Sequence, residues 1–65
     1  MEILIWKIRA EKGISLKELE RRTGISKSAL NNYENGKRYP NLQQLELIAE
    51  ALNTTISSLY ESKFK

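Results

Sequence analysis

Apolar residues along this chain recur every three or four positions, and three Gly and one Pro divide the recurrence into blocks. That pattern predicts helices. Leu4, Ile5 and Ile8 make one inner stripe, so a first helix is expected over about residues 2–12, ended by Gly13. Ser15 stands three residues before Glu18, which predicts a capping box. The hydroxyl should accept the Glu18 amide while the carboxylate accepts the amide of Ser15. This second helix runs to Thr23-Gly24, with Leu16 and Leu19 inward. Ser26 opens a third helix that runs to about Glu34, with Ala29, Leu30 and Tyr33 inward and Asn35-Gly36 at its end. Beyond Pro40, Asn41 caps a fourth helix with Gln44 at its third position. The stripe there is Leu42, Leu45, Ile48, Ala49 and Leu52, and Asn53 closes it. Thr55 is expected to cap a short fifth helix with Ile56, Leu59 and Tyr60 on its apolar face. Residues 61–65 are expected to fray. No stretch sustains a period of two, so no sheet is expected. The expectation is an all-α, compact five-helix domain, single over residues 1–65.

The second and third helices are separated only by Thr23-Gly24-Ile25. So short a turn forces the helices to cross steeply. Gly24 supplies the backbone angle, and Ile25 plugs the corner where Leu19, Leu30 and Tyr33 meet. What remains outward on the third helix is Ser26, Lys27, Ser28, Asn31 and Asn32. An ordinary solvated face mixes Glu with Lys, but no acid appears here before Glu34. Lys donates to guanine O6 and N7, Asn pairs bidentately with adenine N6 and N7, and Ser suits several acceptors. The helix N-terminus adds free amides and a partial positive charge suited to a phosphate. Trp6 reads as a semi-buried core residue and Tyr33 as core. Tyr39 could equally stack on a sugar or support its loop.

Charge sharpens this picture. Residues 7–38 hold nine of the eleven Lys and Arg against four Glu, whereas residues 39–65 hold two Lys against three Glu. A polyanion should dock on the first half. With 65 residues and no Cys, the core is small and carries no disulfide staple. With no His, no Asp and no Gly-rich phosphate loop, a metal site, a catalytic triad or His-based acid–base chemistry is excluded. No cofactor, metal or small-molecule ligand is expected. No apolar run approaches the roughly 18 residues of a membrane span, and the short apolar start lacks the basic region of a signal peptide. A cytoplasmic protein is expected. No sensory segment is evident, so any signal input should come from a partner or from protein level.

The segment Ser15-Leu-Lys-Glu-Leu-Glu-Arg-Arg-Thr-Gly-Ile-Ser-Lys-Ser-Ala-Leu-Asn-Asn-Tyr-Glu-Asn-Gly-Lys-Arg-Tyr-Pro40 closely resembles the Cro/CI-type (XRE) helix-turn-helix domain. Leu45-Glu-Leu-Ile-Ala-Glu-Ala-Leu52 and Ile56-Ser-Ser-Leu59 are similar to that family's fourth and fifth helices. The resemblance covers about Ile5 to Tyr60, and the Tyr33-Glu-Asn-Gly-Lys37 run followed by Pro40 is its most specific part. It implies a lambda-repressor-like fold that binds double-stranded DNA and regulates transcription, with a repressor acting as a homodimer expected. It assigns base contacts to Lys27, Ser28 and Asn32, with Asn31 an addition. It assigns phosphate contacts to Arg9, Leu16, Lys17, Ser26, Asn35, Lys37 and Arg38, Leu16 acting through its main-chain amide. An Arg9–Glu34 ion pair is implied, tying helix one to helix three and orienting Arg9 near a phosphate.

Two residues depart from the family pattern. Glu20 stands where a small Ala is usual, and is expected to pair with Arg21 or Lys17 or to swing to the edge. Leu47 lies about 150° from the inner stripe of helix four, where a polar residue is usual. Leu47, Tyr60 and Phe64 are either scattered exposed apolar residues or a dimer patch. A dimer is favoured, because one module this small makes few contacts, and a two-fold pair would set its recognition helices about 34 Å apart on a palindrome. The competing reading is a protein-interaction or antitoxin-like module on the same scaffold.

Overall fold

The computed structural model describes residues Met1–Lys65. In chain order they form β1 (Glu2–Ile3), α1 (Ile5–Glu11), α2 (Leu16–Thr23), α3 (Lys27–Glu34), α4 (Leu42–Ala51), a 3-10 turn (Ile56–Leu59) and β2 (Tyr60–Glu61). There are four α-helices rather than five, and none is long and apolar enough to cross a membrane.

Local chemistry sets the helix ends. Ser15 Oγ accepts the Glu18 amide at 3.0 Å, but the expected box is only half made. The Glu18 carboxylate turns instead to the guanidinium groups of Arg21 and Arg22, whose charge outbids a neutral amide. Asn41 and Gln44 do close a full box, at 2.8 and 2.9 Å. Asn53 ends α4 in the left-handed region, φ 53°, with its amide on the Glu50 carbonyl and that of Thr54 on Ala49.

Three expectations near the termini need correction. The first helix starts at Ile5, because Glu2–Ile3 pairs antiparallel with Tyr60–Glu61 in the register Glu2↔Glu61 and Ile3↔Tyr60. The Leu4 amide extends that pairing to the Leu59 carbonyl at 2.7 Å. Two residues a side are too few to write an alternating pattern, and the partners lie at opposite ends of the chain. The fifth helix is only a 3-10 turn. Thr55 makes no side-chain cap there, its hydroxyl bonding those of Ser57 and Ser58 at 3.2 and 2.7 Å. Four residues suit the tighter winding. Tyr60 then leaves in extended backbone, and Glu61 is tied into the ribbon rather than frayed.

The core gathers Ile3, Ile5, Leu19, Ile25, Leu30, Tyr33, Leu45, Ile48, Ala49, Leu52 and Leu59, and no polar or charged residue is buried with them. Ile3 belongs to this core through its strand pairing. Leu42, placed in the inner stripe by periodicity, is 76% exposed, since it opens α4 at the rim of the bundle. Trp6, expected semi-buried, is 47% exposed: α1 turns Ile5 to the core, and the next residue falls about 100° round the helix. Arg22 Nη1 donates to the Ala51 carbonyl at 3.1 Å and so fastens α2 to the end of α4.

Candidate nucleic-acid interface

α2 ends on Gly24, whose φ of 76° lies in the left-handed region that glycine enters without strain. Ile25 is buried and Ser26 is extended, so only Gly24, Ile25 and Ser26 separate α2 from α3. Leu30 and Tyr33 hold the inner side of α3 in the core. Lys27, Ser28, Asn31 and Asn32 sit at i, i+1, i+4 and i+5, on a stripe about 200° round the helix from that inner side. Lys27, Ser28 and Asn31 are exposed and Asn32 is half-buried. The structure brings these four onto one outward face.

The start of α3 is more crowded than the sequence suggested. Ser26 Oγ accepts the Ala29 amide at 3.1 Å, and Glu20 Oε2 accepts the Lys27 amide at 2.9 Å. Of the first-turn amides, that of Ser28 keeps no protein partner. Of the two courses expected for Glu20, pairing with Arg21 or Lys17 or swinging to the edge, the ion pair is not formed. Lys27 lies seven positions beyond Glu20, a spacing that the short turn folds into contact.

At the other end Asn35 caps α3, and Gly36, with φ 73°, lets the chain reverse. The amides of Lys37 and Arg38 then fall on the Asn32 carbonyl, at 2.9 and 3.4 Å. Asn35, Lys37 and Arg38 are all exposed there, against the C-terminal end of the polar face.

Arg9 locks the rear of this unit. Its Nε and Nη2 donate to the two Glu34 oxygens at 2.9 and 3.2 Å, and its Nη1 to the Ile14 carbonyl at 3.0 Å. The hydrogen bond to Glu34 outweighs partial burial and raises the Arg9 pKa further above its ordinary range. Three of the five guanidinium N–H groups are thus committed, and two stay free for a phosphate. Leu16 is half-buried at the first position of α2, its amide without a protein partner, and Lys17 beside it is exposed. Arg21 and Arg22 are both paired with Glu18, whose carboxyl falls to a pKa of about 2 under the hydrogen bond from Arg21 and then that from Arg22. The cations left out of ion pairs between residues 7 and 38 are Lys7, Lys12, Lys17, Lys27, Lys37 and Arg38. Four of them, Lys17, Lys27, Lys37 and Arg38, stand on α2 or at the two ends of α3.

Leu47, Tyr60 and Phe64 line no common hollow. Tyr60 borders a hollow with Met1, Tyr39, Leu42 and Leu45. Phe64, 87% exposed, borders another with Met1 and Glu2. Leu47 lies two residues beyond Leu45, hence about 160° away round α4.

A pair of short helices across a three-residue turn, with the second helix's outer face polar and its inner face in the core, defines a helix-turn-helix protein. The helix-turn-helix family matches residues 7–59, and the chain belongs to that family, in its XRE type. The HTH-type transcriptional regulator SinR of Bacillus subtilis (strain 168) is 38% identical over 56 residues, 85% of this chain and 50% of SinR. The HTH-type transcriptional activator BcrR of Enterococcus faecalis is 31% identical over 52 residues, 80% of this chain and 26% of BcrR. The solved N-terminal DNA-binding domain of SinR matches with a TM-score of 0.80 at 34% identity, over 94% of this chain and 90% of that domain. The chain therefore spans half or less of the length of these two curated relatives.

Proposed function

We propose that this chain binds double-stranded DNA sequence-specifically through α3 and thereby regulates transcription. The observation that carries the proposal is the outward face of Lys27, Ser28, Asn31 and Asn32, held by Leu30 and Tyr33 on its inner side and flanked by unpaired cations. An α-helix with its side chains is about 10–12 Å across, which fits a major groove about 12 Å wide, and the eight residues of α3 present about two turns to it. Lys27, Ser28, Asn31 and Asn32 contact base edges. Lys17, Lys37 and Arg38, with Asn35, Ser26 and the Leu16 amide, hold the phosphates on either side, and Arg9 offers its two remaining N–H groups. Membership in the helix-turn-helix family and the similarity to the N-terminal DNA-binding domain of SinR support this reading.

The finer reading is a repressor that works by occupying its operator, as two copies on a palindrome with recognition helices about 34 Å apart. A single module of this size reads too few base pairs for high specificity, which favours the pair. The experiment is selection of duplexes from random DNA, followed by anisotropy titrations over a salt series and sedimentation with and without the selected site. Enrichment of a two-fold symmetric sequence, bound by two copies, is the expected result. Negligible binding at low salt overturns the proposal and favours a protein-interaction module.

A further inference from the structure

A carboxylate stands uncompensated inside the surface assigned to DNA. Of the Glu residues in the basic half, Glu18 is neutralised by Arg21 and Arg22, and Glu34 by Arg9. Glu11 is exposed at the end of α1. Glu20 is half-buried against the start of α3, one oxygen on the Lys27 amide at 2.9 Å. Its other oxygen receives no donor, and no Lys or Arg nitrogen lies within ion-pair distance. The carboxylate also keeps a phosphate off the Lys27 amide.

Held on the Lys27 amide, the carboxylate stands beside the first turn of α3, so docking that end of α3 in a major groove would bring DNA over its second oxygen and displace the water there. A desolvated anionic acceptor is strongly unfavourable unless a donor replaces the water. Phosphates and most base-edge atoms are acceptors and repel it. The donors that a duplex offers in the major groove are exocyclic amines, cytosine N4 and adenine N6, and Glu suits cytosine N4. On the reading that α3 binds DNA, we propose that Glu20 is a specificity-determining residue, selecting a base pair that presents an exocyclic amine, cytosine above all, beneath the N-terminal end of α3. Anchored on the Lys27 amide, the carboxylate is held in place rather than swinging on a free side chain.

The test compares duplexes selected from a random library by the wild type, by Glu20→Gln and by Glu20→Ala, with circular dichroism melting to establish that each folds. The wild type should enrich cytosine, or secondarily adenine, at one position of the half-site. Both variants should lose that preference by about fivefold or more, the low end of what a good base-edge contact discriminates, while other positions keep theirs. Gln retains an oxygen for the Lys27 amide, so its loss of preference is not a loss of the cap. If both variants select the wild-type sequence, the proposal fails, even if they bind every duplex more tightly. A wild type that enriches no sequence at all defeats the DNA reading itself, a separate outcome.

Discussion

Arg9 grips Glu34 with two hydrogen bonds, 2.9 and 3.2 Å long, across 25 positions of sequence. The Arg9 side chain is 22% exposed and that of Glu34 8%, so water screens the pair weakly. Glu34 is the last residue of α3, and the pair fixes the roll of that helix against α1.

Removing one partner strands the other. Glu34→Ala should lower stability by about 1.5–3 kcal/mol, the range for hydrogen bonds to charged groups, measured by urea unfolding. The double variant Arg9→Met, Glu34→Leu should recover part of that loss, because neither charge is left unpaired. No loss in Glu34→Ala shows that the pair contributes nothing, and equal losses in the single and double variants show that the unpaired Arg9 carries no penalty of its own.

Asn32→Ala tests base reading. The carbonyl that receives the Lys37 and Arg38 amides belongs to the main chain and survives the substitution. The variant should fold normally, lose about 1–3 kcal/mol on the selected operator and tolerate base changes at one position. Wild-type affinity and specificity in anisotropy titrations remove Asn32 from the base contacts.

Lys37→Ala tests phosphate binding. Lys37 is exposed and in no ion pair, so its loss should leave the fold intact. Affinity for operator and random duplex should fall alike, and the slope of log K against log salt should shrink by about one. A loss confined to the operator contradicts the assignment.

Acid should weaken the fold through Glu18. Its pKa is about 2 in the folded chain against an ordinary 4.5, so between those values the unfolded chain binds more protons. The contribution is present above about pH 4.5 and drains away as pH falls toward 2. Urea midpoints of the wild type and Glu18→Gln should differ at pH 6, converge below pH 4, and lie closer together in high salt. Parallel curves across that window dismiss the pairing with Arg21 and Arg22 as a source of stability.

The terminal ribbon places Glu2 directly opposite Glu61. Like charges at such a pair are unfavourable, so Glu2→Lys should raise stability by about 0.2–1 kcal/mol at low salt. An unchanged thermal midpoint shows that water already screens the two carboxylates, and a lower one contradicts the repulsion.

The helices that build the interface were legible because their punctuation is local. Ser26 caps Ala29, Asn41 boxes with Gln44, and Gly24 and Gly36 sit where a left-handed turn is needed. The polar stripe on α3 followed from period alone. What escaped was contact between residues distant in sequence or in competition for one partner. The ribbon depends on residues 2–3 meeting 60–61, and nothing in either dipeptide signals the other. Ser15 and Glu18 read as a box, yet two arginines one turn on claimed the carboxylate. Glu20 was expected on a cation or at the edge and meets a main-chain amide, because only the turn's geometry brings Lys27 within reach.

Pairing Glu2–Ile3 against Tyr60–Glu61 sets the two outermost elements of the domain side by side at one corner of the molecule. A force drawn between them would not shear the bundle. It would peel the ribbon open one backbone bond at a time and then uncover Ile3, so a pull applied on both sides of the domain loads this ribbon first.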